Sequence, residues 1–179
     1  MNKRDFLKTA SLAGLGASTL LTSELMAADL KLKRLKNEEY VLPPLPYAYD
    51  ALEPHIDEQT MRLHHDIHHA GYVKGLNTAI AKISEALQQD DLSMVQYWEN
   101  KLAFNGSGHF LHSIFWENMS PQKTQRSQLL NDYLNKDFGS YANFEKLFTA
   151  AASSVEGSGW GILTYQPEGD RLMVLQAEK

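Results

Sequence analysis

Met61-Arg62-Leu63-His64-His65-Asp66-Ile67-His68-His69-Ala70-Gly71-Tyr72-Val73 is the stretch from which the rest of the chain is read. It sits inside a longer series, with Ile56, Met61, Tyr72, Val73, Leu76, Ile80, Ile83 and Leu87 recurring at three- and four-residue steps. That period predicts a helix from just after Pro54 to about Gln89, with a candidate bend at Gly71 and Gly75. Residues four apart on a helix share a face, so His64, His68 and Tyr72 form one stripe and His65, His69 and Val73 the next. Periodicity alone does not choose between the stripes. All seven histidines fall between His55 and His112. Imidazole is the commonest protein ligand for transition metals and titrates near neutral pH, so this clustering points to metal binding or proton handling.

A second arm follows. Ser93 to Phe104 and Gly108 to Asn118 read as two further helical stretches, the latter closed by Ser120-Pro121. Long helices meeting at a turn make a hairpin, which can bring the His109 and His112 pair against the first histidine group. Redox-active iron or manganese usually also takes a carboxylate, and Asp66 points away from the stripe. Taken singly, a helical histidine is more often a surface group or a hydrogen-bonded core residue, and Tyr72, Trp116 and Trp160 read as packing residues. The clustering is what lifts the histidines above that reading. His-Glu-x-x-His, Glu-x-x-His, P-loop, dinucleotide and Gly-x-Ser-x-Gly patterns are all absent from the sequence.

Beyond Pro121, Leu129 to Phe138 and Tyr141 to Ser154 read as two helices separated by Gly139, with Ser140 an N-cap. Trp160 to Tyr165 and Arg171 to Leu175 flank Pro167-Glu168-Gly169-Asp170 and read as a β-hairpin. The expected class is α+β: a long antiparallel helical hairpin, then an incomplete mixed α/β domain with helices and a small antiparallel sheet. Pro43-Pro44-Leu45-Pro46 enforces an extended entry. The expected divisions are a leader over 1–27, a linker over 28–43, the hairpin domain over 44–119 and the C-terminal domain over 120–179.

With 179 residues, 43% hydrophobic and 22% charged, the chain is long enough to bury a sizeable core. A formal net charge of -5 argues against nucleic acid as a partner. The absence of cysteine excludes disulfides, iron-sulfur ligation and thiolate zinc sites. At the N-terminus, Lys3-Arg4-Asp5-Phe6-Leu7-Lys8 precedes an apolar run, Thr9 to Leu21, too short to span a bilayer, and Met26-Ala27-Ala28 supplies small residues for cleavage. The pattern resembles a twin-arginine signal with lysine in the first arginine position. It sets the expectation of an exported, periplasmic or extracytoplasmic protein with no membrane span in its mature chain.

Four blocks in order resemble the iron/manganese superoxide dismutase family over roughly residues 44 to 179. They are Leu45-Pro46-Tyr47 with Ala51-Leu52-Glu53-Pro54-His55-Ile56; the histidine stretch with Tyr72-Val73; Phe104-Asn105-Gly106 through His112-Ser113-Ile114-Phe115-Trp116; and Gly157-Ser158-Gly159-Trp160-Gly161. The resemblance implies superoxide disproportionation at one manganese or iron ion, with His64 and His112 as metal ligands. It implies that His68 and Tyr72 line the substrate funnel as the proton relay, that Trp116 and Trp160 wall the cavity, and that Gly108 and His109 lie behind it. Glycine at 108, where iron-type members usually carry glutamine, favours manganese. Family members pair through the face carrying the funnel, so a homodimer or homotetramer is expected.

The sequence departs from the family at Leu111, where asparagine is usual, and at Ile162, where a tryptophan is common in the manganese type. It also contains no Asp-x-Trp-x-x-His segment, from which the family draws its carboxylate and third imidazole. The expectation is therefore a family member cut short at its C-terminus, holding at most a two-histidine remnant site and inactive without the rest. The alternative is an exported His-rich metal-binding protein without enzymatic activity, or an inactive paralogue.

Overall fold

The helical part opens on a side-chain cap. Asp57 is extended and its carboxylate accepts from the Thr60 amide at 2.8 Å, satisfying a donor that the first helical turn leaves unpaired. In this computed structural model, which describes residues 39–178, helix α1 (Glu58–Arg62) passes directly into a π-helical segment, Leu63–His69, and then into α2 (Ala70–Gln89). The expected leader over 1–27, and residues 28–38 of the expected linker, lie outside the described residues. Asp90, in the left-handed region with φ 52°, ends α2 with its amide on the Ala86 carbonyl.

The second arm is a correction to the sequence reading. Instead of two stretches broken at Asn105-Gly106-Ser107, one continuous helix, α3 (Val95–Glu117), runs through Gly106 and Gly108. Glycine inside a helix costs about 1 kcal/mol relative to alanine, and packing offsets it here. Gly106 faces Leu76 of α2, and a Cβ on Gly108 would meet the Tyr72 ring at 2.3 Å. The glycines let two helices close up rather than stop one of them.

Gly71 is different. It is exposed, and an added Cβ there would meet nothing within 4 Å. Gly71→Ala is therefore expected to stabilise the protein by about 0.5–1 kcal/mol, through helix propensity and a less flexible unfolded chain. Urea unfolding would show this as a raised midpoint at unchanged slope.

At the base of the hairpin, Leu52, Met61 and Trp116 form a buried cluster with Leu45, Tyr47, Tyr49, Ile56, Phe115 and Met119 packed around it. The Tyr47 hydroxyl donates to the Trp116 carbonyl at 3.0 Å, fastening the proline-rich entry to the second arm.

Helices α4 (Gln128–Phe138) and α5 (Tyr141–Ser153) carry side-chain caps from Ser127 and Ser140, the latter as the sequence predicts. Between them Gly139 sits at φ 78°, a conformation glycine adopts without steric cost. Strands β1 (Gly159–Gln166) and β2 (Arg171–Glu178) pair antiparallel from Gly159 opposite Glu178 to Gln166 opposite Arg171. Two strands alone are marginal in water, so the helices hold them. The Asp137 carboxylate accepts from the Leu172 amide at 2.7 Å, and Lys136 pairs with Asp170 in the turn at 3.1 Å. Among the described residues, no helix is long and apolar enough to cross a membrane.

Candidate metal centre

His112 lies on α3, four residues after Gly108, and its Nδ1 is 2.6 Å from the Gly108 carbonyl oxygen. A carbonyl only accepts, so Nδ1 carries the proton and Nε2 presents a lone pair. Metal-ligating histidines commonly show this arrangement. The ring is 3% exposed. Burial lowers its pKa, with the Gly108 bond opposing and the His68 and His109 charges adding to the fall.

His64 comes from the π-helical segment, where Ala70 donates back five residues to the His65 carbonyl as well as to that of Ile67. Such widened turns recur at functional sites because they re-aim side chains. His64 Nε2 stands 3.0 Å from His112 Nε2, the rings at 90°. Two nitrogens each about 2.1 Å from one ion and at right angles around it are about 3.0 Å apart. The donor pair therefore fits a single metal ion. Burial, then the neighbouring His112, His68 and His65 charges, pushes the His64 pKa down to about 4, which keeps the ring neutral at neutral pH, the form that binds metal.

His68 is exposed, and its ligating atom falls within 4.8 Å of those of His64 and His112. The family resemblance implies a place in the proton relay for His68, and the structure also puts its ring inside the donor cluster. The cluster formed by these three histidines includes no carboxylate among the described residues. Asp66 is engaged elsewhere, with Oδ1 2.6 Å from His65 Nδ1 and accepting from the Tyr49 hydroxyl at 2.7 Å.

Tyr72 follows one turn later on α2. Its ring meets His68 edge-on at 5.0 Å and lies over His112 at 5.2 Å and 35°. Trp116 stands edge-on to His64 at 4.9 Å, and Trp160, on β1, stands edge-on to His112 at 4.8 Å. Helix α2, helix α3 and strand β1 thus each supply a wall. The structure brings His64, His68, Tyr72, Gly108, His112, Trp116 and Trp160 together.

The second stripe, His65, His69 and Val73, is buried at 4%, 0% and 7% exposure. His65 Nε2 lies 2.8 Å from the Pro43 carbonyl oxygen. The sequence offers His109 and His112 as a pair that the hairpin can bring against the first group, and the family resemblance puts His109 behind the cavity. In the structure His109 meets His69, Nδ1 to Nε2 at 2.9 Å, and the His69 ring centroid lies 5.1 Å from that of His109 and 5.3 Å from that of His112. Only the folded hairpin brings residues 69 and 109 together, so no local sequence signal announces that contact.

Comparison with known proteins follows the same lines. The family model for the α-hairpin domain of iron/manganese superoxide dismutases matches residues 39–120, and the model for their C-terminal domain matches 126–179. A probable iron superoxide dismutase of Bacillus subtilis is 46% identical over 142 residues, covering 79% of this chain and 50% of the relative. A manganese/iron superoxide dismutase of Propionibacterium freudenreichii is 45% identical over 140 residues, 76% of this chain and 70% of its own. A manganese superoxide dismutase of Mycolicibacterium fortuitum is 47% identical over 139 residues, 77% and 67%. The chain thus spans half the length of the first of these and about two thirds of the other two.

Proposed function

The chain belongs to the iron/manganese superoxide dismutase family, and we propose that it disproportionates superoxide to dioxygen and hydrogen peroxide at one ion held by His64 and His112. The 3.0 Å approach of the two Nε2 atoms, on two arms of the hairpin, carries this reading. An iron or manganese ion bound there supplies the one-electron couple that alternately oxidises and reduces superoxide. The residues around it hold geometry and protons. The Gly108 carbonyl keeps the His112 proton on Nδ1 and its Nε2 lone pair facing His64. Tyr72 and His68, packed edge to face at 5.0 Å, are the groups through which a proton reaches the product, from the phenol oxygen or a ring nitrogen. Trp116 and Trp160 keep bulk water from the buried side of the imidazoles.

Manganese is the preferred ion on the strength of Gly108, while the relatives carry iron, manganese or both in their names. Pairing of two chains is proposed through the arms that carry the site, where Leu63, Ile67 and Phe110 are 51%, 65% and 63% exposed. Export by the twin-arginine route is proposed from the basic start and apolar run of residues 1–21 alone.

The test is to load the full chain with manganese or iron and measure superoxide consumption beside bound metal. Tyr72→Phe removes only a hydroxyl, and is expected to retain the metal while lowering turnover by about 10-fold or more, the lower end of what a proton-transfer group contributes. Equal turnover in wild type and Tyr72→Phe would remove the tyrosine from the relay. A second reading rests on the cluster of three imidazoles. Without a carboxylate, such a donor set favours copper or zinc over manganese or iron, and tight copper or zinc binding with no dismutation would support a metal-binding role without turnover.

A further inference from the structure

Trp116 has one polar group, the indole Nε1–H, which can only donate. Behind His112 it meets His69 Nδ1 at 3.0 Å. That nitrogen must accept, so the single proton of the His69 ring sits on Nε2. His69 Nε2 lies 2.9 Å from His109 Nδ1, which must therefore accept in turn, leaving the His109 proton on its own Nε2. A further proton on either ring would set two N–H groups against each other at one of these contacts. Hydrogen-bond geometry thus specifies one neutral tautomer for each ring. His69 is fully buried and stacks on His112 with ring centroids 5.3 Å apart and planes at 24°, while Trp116 at the head of the chain stands against His64.

We propose that Trp116, His69 and His109 form a directional hydrogen-bond chain, indole to imidazole to imidazole, in which His69 is a positioning residue that sets Trp116 against His64 and backs the plane of His112. The proposal rests on the dismutase reading only for what this wall encloses. The chain itself rests on two polar contacts and on the donor-only chemistry of indole. Its direction also contrasts with that of His112, whose proton is on Nδ1. Adjacent rings in one cavity are therefore held in opposite tautomers by different partners.

The first measurement is long-range nitrogen–proton correlation NMR on the metal-free full chain at neutral pH, which separates the two neutral tautomers and the cation by their ring-nitrogen shifts. The expected result is Nε2–H for His69 and His109 and Nδ1–H for His112. An Nδ1–H form or an imidazolium at His69 or His109 would overturn the proposal. The second compares His69→Leu with His69→Gln. The glutamine can accept from the indole through its amide oxygen and donate to His109 through its amide nitrogen. In His69→Leu the Trp116 indole proton should exchange faster with solvent, and retention of added manganese should fall by about 10-fold, as for other residues that orient a ligand from behind. His69→Gln should restore both. A leucine variant that matches wild type, or a glutamine variant no better than leucine, would show that His69 only fills space. If the leucine variant fails to fold, the wild-type tautomers still decide the matter. None of these readouts involves turnover, so an inactive wild type would leave the result intact.

Discussion

His112→Ala is expected to leave the chain unable to retain manganese or iron, with bound metal after dialysis falling by more than the roughly 10- to 100-fold that follows loss of a ligand's hydrogen-bonding partner. The substitution removes the Nε2 that stands 3.0 Å from His64 and leaves one imidazole of the pair. It also opens a hole beneath Tyr72 and Trp160, whose rings lie 5.2 and 4.8 Å from that of His112. Emptying a buried site costs stability as well, so His64→Ala is the companion variant. His64 is only half-buried, and its loss should empty the site with less effect on unfolding. His55→Ala, at an exposed position outside the cluster, should retain metal as wild type does. Metal content by elemental analysis, with urea unfolding of the same samples, separates loss of a ligand from loss of the fold.

Gly108→Ala is expected to reverse the sign of the Gly71→Ala effect. In an open helix the added methyl stabilises by about 1 kcal/mol. At 108 the Cβ would stand 2.3 and 2.5 Å from two carbons of the Tyr72 ring, closer than packed atoms tolerate. Overpacking typically costs about 1–3 kcal/mol. The steric term outweighs the helix term, and a net loss of about 1 kcal/mol is expected. The ring has to leave its place over His112, so turnover should fall at least as far as in Tyr72→Phe, with the metal still bound. Urea midpoints and turnover measured side by side test this. A Gly108→Ala protein more stable than wild type would mean that Tyr72 does not occupy the groove that the glycine leaves.

The hairpin was legible because its signals are local. The three- and four-residue period after Pro54, the Ser140 cap and the four-residue turn before Arg171 each act through bonds to near neighbours in sequence. The histidine stripes were legible for the same reason. One lines the donor cluster beside His112 and the other is core. What escaped depends on the partner helix. Asn105-Gly106-Ser107 reads as a break when α3 is considered alone, and becomes continuous helix through Gly108 because Leu76 and Tyr72 occupy the space that Gly106 and Gly108 leave. The widened turn over Leu63–His69 has no composition of its own. The pairing of His69 with His109 spans 40 residues, and no pattern within either helix specifies it.

Anomalous diffraction from crystals of the full chain loaded with manganese tests the shared-ion assignment most directly. The expected map shows one manganese peak within bonding distance of both the His64 and the His112 Nε2 atoms, with the His112 Nδ1 still on the Gly108 carbonyl. A peak bound by only one of them, or one at His65, His69 or His109 instead, would contradict it.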